Sequence, residues 1–149
     1  MNVIVCWEKA LWQSDAEIQK NLKVLNHTAM SFDIKVQVID LNNILHTLGI
    51  VYPFDIFADL KYAKFNKYIY FLEPLGATSH ESIALHELEY HDDATFVIGS
   101  NFKTLNIDDF PGAKYIHIPT PDAHPLWQDV ALGILLYDME FKKWQSPQI

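Results

Sequence analysis

Apolar and polar positions divide the chain into alternating strand-like and helix-like stretches. Residues 2–8 (NVIVCWE) form a near-continuous apolar run, the pattern of a strand buried on both faces. Ser14, followed three residues later by Glu17, makes a capping box. Behind it Ile18, Leu22, Leu25, Ala29 and Phe32 recur at three- and four-residue spacing, which predicts an amphipathic helix. Residues 35–40 (KVQVID) alternate as a strand does. The stretch 42–65 predicts a short helix at 45–48, a break at 49–53 around Gly49 and Pro53, and a second helix over 55–65. Further strands are predicted at 68–73, 94–99 and 114–119, with helices over 79–88 and 126–144.

Strands that alternate with helices, most of them apolar on both faces, predict an α/β fold. The expected form is a parallel sheet of about five strands with helices on both faces. Ligands in such sheets bind beyond the carboxyl ends of the strands. Three of those ends, 73–76, 99–101 and 119–122, are expected to share one rim. The 149 residues suffice for a single domain spanning 1–149 with its own core, and no repeat or linker-like tract divides them.

Charge restricts the partners the chain can bind. The net charge is −8 and all eleven basic residues are lysine, so the chain contains no arginine, the bidentate reader of phosphates. Any RNA contact is therefore expected to be weak. Lys61, Lys64 and Lys67, and separately Lys142 and Lys143, read as solvated faces. Cys6 is the single cysteine and reads as a small buried hydrophobe, without a disulfide partner. Residues 1–8 are too short an apolar stretch for a signal peptide, and no run approaches a membrane span. A cytoplasmic protein without membrane or metal partners is expected. His86 and His91 bracket a zincin-like HELEYH, but their five-residue spacing keeps them off one helix face. Neither a dinucleotide-binding glycine fingerprint nor a P-loop occurs.

Three stretches together resemble the motifs of the SPOUT (α/β-knot) RNA methyltransferases. The first, 21–32 (NLKVLNHTAMSF), keeps Thr28, Ala29 and Phe32, and His27 falls where the family carries a catalytic arginine. The second, 96–104 (FVIGSNFKT), keeps Gly99, with Asn101 in place of the family's glutamate and Thr104 in place of its last glycine. The third has Ile116-His117-Ile118-Pro119 intact, then Pro125 to Ala131 opening the last helix. Leu126 and Ala131 are retained there, and the family's Ser, Asn and Ser are not. The resemblance implies a C-terminal trefoil knot and S-adenosylmethionine held largely by main-chain groups of three loops. Those loops map to Leu72, Leu75 and Gly76, to Ile98, Gly99 and Asn101, and to Ile118 and Leu126. It implies His27 as the catalytic candidate, acting as a base or as a weaker cation. It also implies RNA (tRNA or rRNA) as substrate, with the ribose 2′-oxygen as candidate acceptor.

Because several active-site positions have changed together, the resemblance leaves two readings. One is a cofactor-dependent RNA methyltransferase-like protein with eroded catalytic motifs. The other is an inactive dimer of the same fold that serves as a cofactor-binding or scaffold protein. A flavodoxin-like domain whose end motifs match by chance is a third. The last helix bears on assembly: Val130, Leu132, Ile134, Leu135, Leu136, Tyr137, Met139, Phe141 and Trp144 cover nearly its whole circumference. One stripe suffices for its own sheet, so the remainder predicts a homodimer, as the resemblance also implies.

Overall fold

The computed structural model describes residues 1–100, 104–123 and 125–146. Its seven strands are β1 (Asn2–Trp7), β2 (Val36–Asp40), β3 (Asp55–Phe57), β4 (Tyr68–Leu72), β5 (Ser82–Ala84), β6 (Ala94–Ile98) and β7 (Lys114–His117). They form one sheet in the order β3-β2-β1-β6-β4-β7-β5, and every pairing is parallel. The two long helices are α1 (Asp15–Met30) and α2 (Gln128–Gln145).

The α/β class and the parallel sheet are as expected, with seven strands rather than five. The two additions are the three-residue edge strands β3 and β5, which replace the helices expected over 55–65 and 79–88. In the first case Phe54, Phe57, Leu60 and Ala63 have a near-helical spacing. Yet Asp55, Ile56 and Phe57 pair with Gln37, Val38 and Ile39, and Asp59 then caps only a single 3₁₀ turn, Leu60–Tyr62. In the second, Ser82 to Ala84 extend beside β7 before the 3₁₀ turn Leu85–Glu87. Strands of three residues are too short to show alternation, so a helical spacing across their flanks wins the pattern.

The layers also differ from the expected helices on both faces. Alternate β1 residues Val3, Val5 and Trp7 face a core that also holds Ile18, Leu22, Leu25 and Ala29 of α1 and Leu132, Leu135 and Leu136 of α2. Both long helices therefore lie on one face. The other face, with Ile4, Cys6, Ile39, Phe71, Val97 and Tyr115, is covered by Phe57 of edge strand β3 and by Leu60, Phe65, Leu105, Ile107 and Phe110 from connecting segments and 3₁₀ turns. The capping box of α1 forms as read: the Glu17 N–H donates to Ser14 Oγ (3.3 Å) and the Ser14 N–H to Glu17 Oε1 (3.4 Å). None of the described helices is long and apolar enough to cross a membrane.

Helix α2 carries two apolar stripes. Ala131, Leu132, Leu135, Leu136 and Met139 are buried, whereas Trp127, Val130, Ile134, Tyr137, Phe141 and Trp144 are exposed at a 3-4-3-4-3 spacing. The helix is seated by its first residue. The buried Gln128 side-chain amide donates from Nε2 to the carbonyls of Cys6 and Gly99, both at 2.6 Å, and so bridges the ends of β1 and β6. Replacing Gln128 with Leu keeps the bulk and removes the donor that both carbonyls share. A loss of roughly 1–3 kcal/mol per unpaired group is expected, read as a lower urea midpoint at unchanged slope. An unchanged midpoint would show that the bridge contributes nothing.

Candidate functional site

Loops leaving the carboxyl ends of β4, β6 and β7 converge with the start of α2 around a cavity of ≈ 230 Å³. A parallel sheet with α2 returning across one face leaves this crevice where the strands end. Of the residues singled out from sequence, Leu72, Leu75, Ile98, Gly99, Ile118 and Leu126 all line it. Gly76 stands in the turn that shapes one wall: the Ala77 N–H closes on the Pro74 carbonyl (3.0 Å), and Gly76 sits at φ +89°, where a side chain is strained. Asn101 lies outside the described residues. His27 is exposed near the end of α1 and is not among the cavity's lining residues. Because α1 runs back from the carboxyl end of β1 toward the start of β2, its last turn lies at the opposite end of the sheet.

Two lining residues have roles that the sequence reading did not assign. One is Gln128, described above. The other is Glu73, immediately after β4, which is buried. Its Oε1 accepts a hydrogen bond from the Leu105 N–H at 2.9 Å. A Cβ placed on Gly99 would fall 2.0 Å from that same oxygen, so the missing side chain at Gly99 makes room for the Glu73 carboxyl. Burial pushes the Glu73 pKa up to about 7 from 4.5, partly offset by the Leu105 N–H. A charge ending an otherwise apolar buried strand was the available signal for this residue. Burial, and then the neighbouring Glu73, push the Cys6 thiol up to about 12, so Cys6 is an unreactive thiol in the core.

The other candidate groups serve structure. His117, in the intact Ile-His-Ile-Pro, places Nδ1 2.8 Å from Ser82 Oγ and ties edge strand β5 to β7. Burial lowers its pKa. The bulky Trp127 leaves the cavity open: it lines a neighbouring groove with Trp7, Trp12 and Asn21. His86 is exposed beside Glu87, while His91 stacks on Tyr68 with ring centres 4.0 Å apart. Among the described residues no group of three or more potential metal ligands assembles.

The Glu73 shift has a sign that can be tested. The folded pKa lies above the unfolded one, so the folded state binds this proton more tightly. The stability contributed by the neutral acid is complete below pH 4.5 and is lost as pH rises through about 7. Against Glu73→Gln, which stays neutral, the wild type is expected to lose up to about 3 kcal/mol between pH 4.5 and 8. Urea titrations of both proteins at a series of pH values read this; parallel curves would contradict it.

No family model and no curated protein matches the sequence. Solved structures do. One, from work on the 2-OH methylation of C/U34 on tRNA, aligns over 96% of this chain and 90% of its own at 15% identity and a TM-score of 0.66. TrmJ from Z. mobilis ZM4 aligns over 93% of this chain and 67% of its own, at 10% identity and a TM-score of 0.63. An AdoMet-bound rRNA methyltransferase from Sinorhizobium meliloti aligns over 94% of this chain and 56% of its own, at 16% identity and a TM-score of 0.56. The chain thus has the α/β fold of the SPOUT RNA methyltransferases.

Proposed function

We propose that the cavity binds S-adenosylmethionine and that the chain acts in the cytoplasm as an RNA methyltransferase-like protein, with tRNA or rRNA as substrate and a ribose 2′-oxygen as candidate acceptor. The observation that carries this reading is the convergence of three loops, at the ends of β4, β6 and β7, on one cavity. The donor set suits the cofactor. Leu72, Leu75, Ile98, Ile118 and Leu126 offer apolar walls to a planar base, and Thr104 and Thr120 line the same space with hydroxyls. At ≈ 230 Å³ it falls just short of common small-molecule sites, which start at about 300 Å³, and a second chain against α2 would deepen it. Bound there, the cofactor would supply an electrophilic methyl group. The knot implied by the motif resemblance belongs to the same reading.

The chain's own contribution to transfer is small. No arginine is available to orient a phosphate or polarise the acceptor. His27, at the far end of α1, can meet a cavity only across a contact between two chains. Lys142 is engaged in an ion pair with Asp138 (2.6 Å) and donates to the Leu85 carbonyl, which takes it out of any phosphate-binding patch. These observations favour a second reading, a cofactor-binding dimer without transfer activity. Methyl-labelled S-adenosylmethionine incubated with bulk tRNA and rRNA separates the two. Label that survives alkaline hydrolysis in a blocked dinucleotide supports ribose transfer; cofactor retained without label in RNA supports the second reading. Neither retention nor label rejects both. RNA affinity at physiological salt is expected to be weaker than micromolar and to fall steeply as salt rises.

The dimer is proposed to form through the exposed stripe of α2. Val130, Ile134, Tyr137, Phe141 and Trp144 are each 39–67% exposed, a continuous apolar band on a chain of net charge −8. Light scattering at micromolar concentration is expected to give twice the chain mass, and Ile134→Glu to give a folded single chain. A single-chain mass for the wild type would reject the dimer.

A further inference from the structure

Among the described residues that line the cavity, Glu73 alone is ionisable. It is 5% exposed, and among the described residues no cation pairs with it. The surrounding chain is shaped to keep it there. Gly99 vacates the volume its carboxyl occupies, and the Leu105 N–H fixes one oxygen. The walls beside it are Leu72, Leu75, Ile98 and Leu126. A carboxylate in such surroundings is costly unless a positive charge or several donors accompany it. One backbone N–H does not neutralise the carboxylate's charge, and among the described residues no cation does, so a cationic ligand entering the cavity would meet it directly.

We infer that Glu73 is a specificity-determining residue that selects ligands bearing a positive charge on the part that enters the cavity floor. The inference rests on the cofactor reading above, and it gives that reading a chemical filter. S-adenosylmethionine carries two positive groups, the sulfonium and the α-ammonium. S-adenosylhomocysteine keeps only the ammonium, and 5′-methylthioadenosine has neither. The carboxylate meets one of these cations in a charge-assisted contact, which is stronger for being sheltered from water.

The test is calorimetric titration of these three ligands into wild type and Glu73→Gln. The glutamine keeps the shape beside Gly99 and an oxygen for the Leu105 N–H, and its melting temperature at pH 8 should equal or exceed that of the wild type. S-adenosylmethionine is expected to lose roughly tenfold or more in affinity in the variant, with 5′-methylthioadenosine unchanged. If S-adenosylhomocysteine is also unchanged, Glu73 reads the sulfonium; if it weakens in parallel, Glu73 reads the ammonium. Equal losses for all three ligands, or none, would overturn the inference and leave the cofactor reading intact. A wild type that binds none of the three would overturn both.

Discussion

The start of α2 is fixed to the sheet by one side chain. Gln128 donates to the carbonyls of Cys6 and Gly99, which stand at the ends of the adjacent strands β1 and β6. Strand ends in a parallel sheet leave carbonyls without a ladder partner, and a buried unpaired carbonyl is unfavourable. By answering two of them at once, Gln128 sets where the helix begins and how closely it crosses the β6 loop. The buried stripe of α2 can then pack against α1 and the sheet. The cavity lies between that helix start and the loops after β4, β6 and β7, so its shape depends on the same contact.

Inside that frame the chain accepts an unfavourable group. Glu73 stands where an apolar residue would be cheaper, and Gly99 is held to a bare backbone to accommodate it. Isolated buried carboxyls usually lower stability and mark sites where binding chemistry outweighs it. The outside of the molecule has the opposite character. Acidic overall, it presents a long apolar band on α2 and a lysine complement of which Lys142 is already paired. A surface of this kind favours contact with another apolar face over contact with a phosphate backbone.

Much of the fold was legible because long-range periodicity and caps were clear. The five interior and near-interior strands and both long helices follow directly from continuous apolar runs, the Ser14–Glu17 box and the 18-22-25-29 stripe. The edge strands β3 and β5 were not legible, since three residues cannot express a period of two and their pairing is decided by β2 and β7. The placement of both long helices on one face also escaped, because the segments covering the other face carry enough Phe and Leu to look helical. In the site, the strand ends 73–76, 99–101 and 119–122 were legible from topology, since they share one rim if the sheet is parallel, whereas Leu72, Ile98 and Ile118 came from the motif resemblance. The roles of Glu73 and Gln128 were not legible, because they come from what stands opposite them in space, the bare Gly99 and two strand-end carbonyls.

One cavity, formed by three loops and the root of α2, is proposed to receive S-adenosylmethionine. Residue-resolved amide chemical shifts recorded while the cofactor is added test this most directly. Saturable shifts concentrated in 72–77, 98–100 and 118–131 are expected, with α1 near His27 unaffected in the same chain. Shifts confined to the groove of Trp7, Trp12 and Trp127, or no shifts at millimolar cofactor, would contradict it.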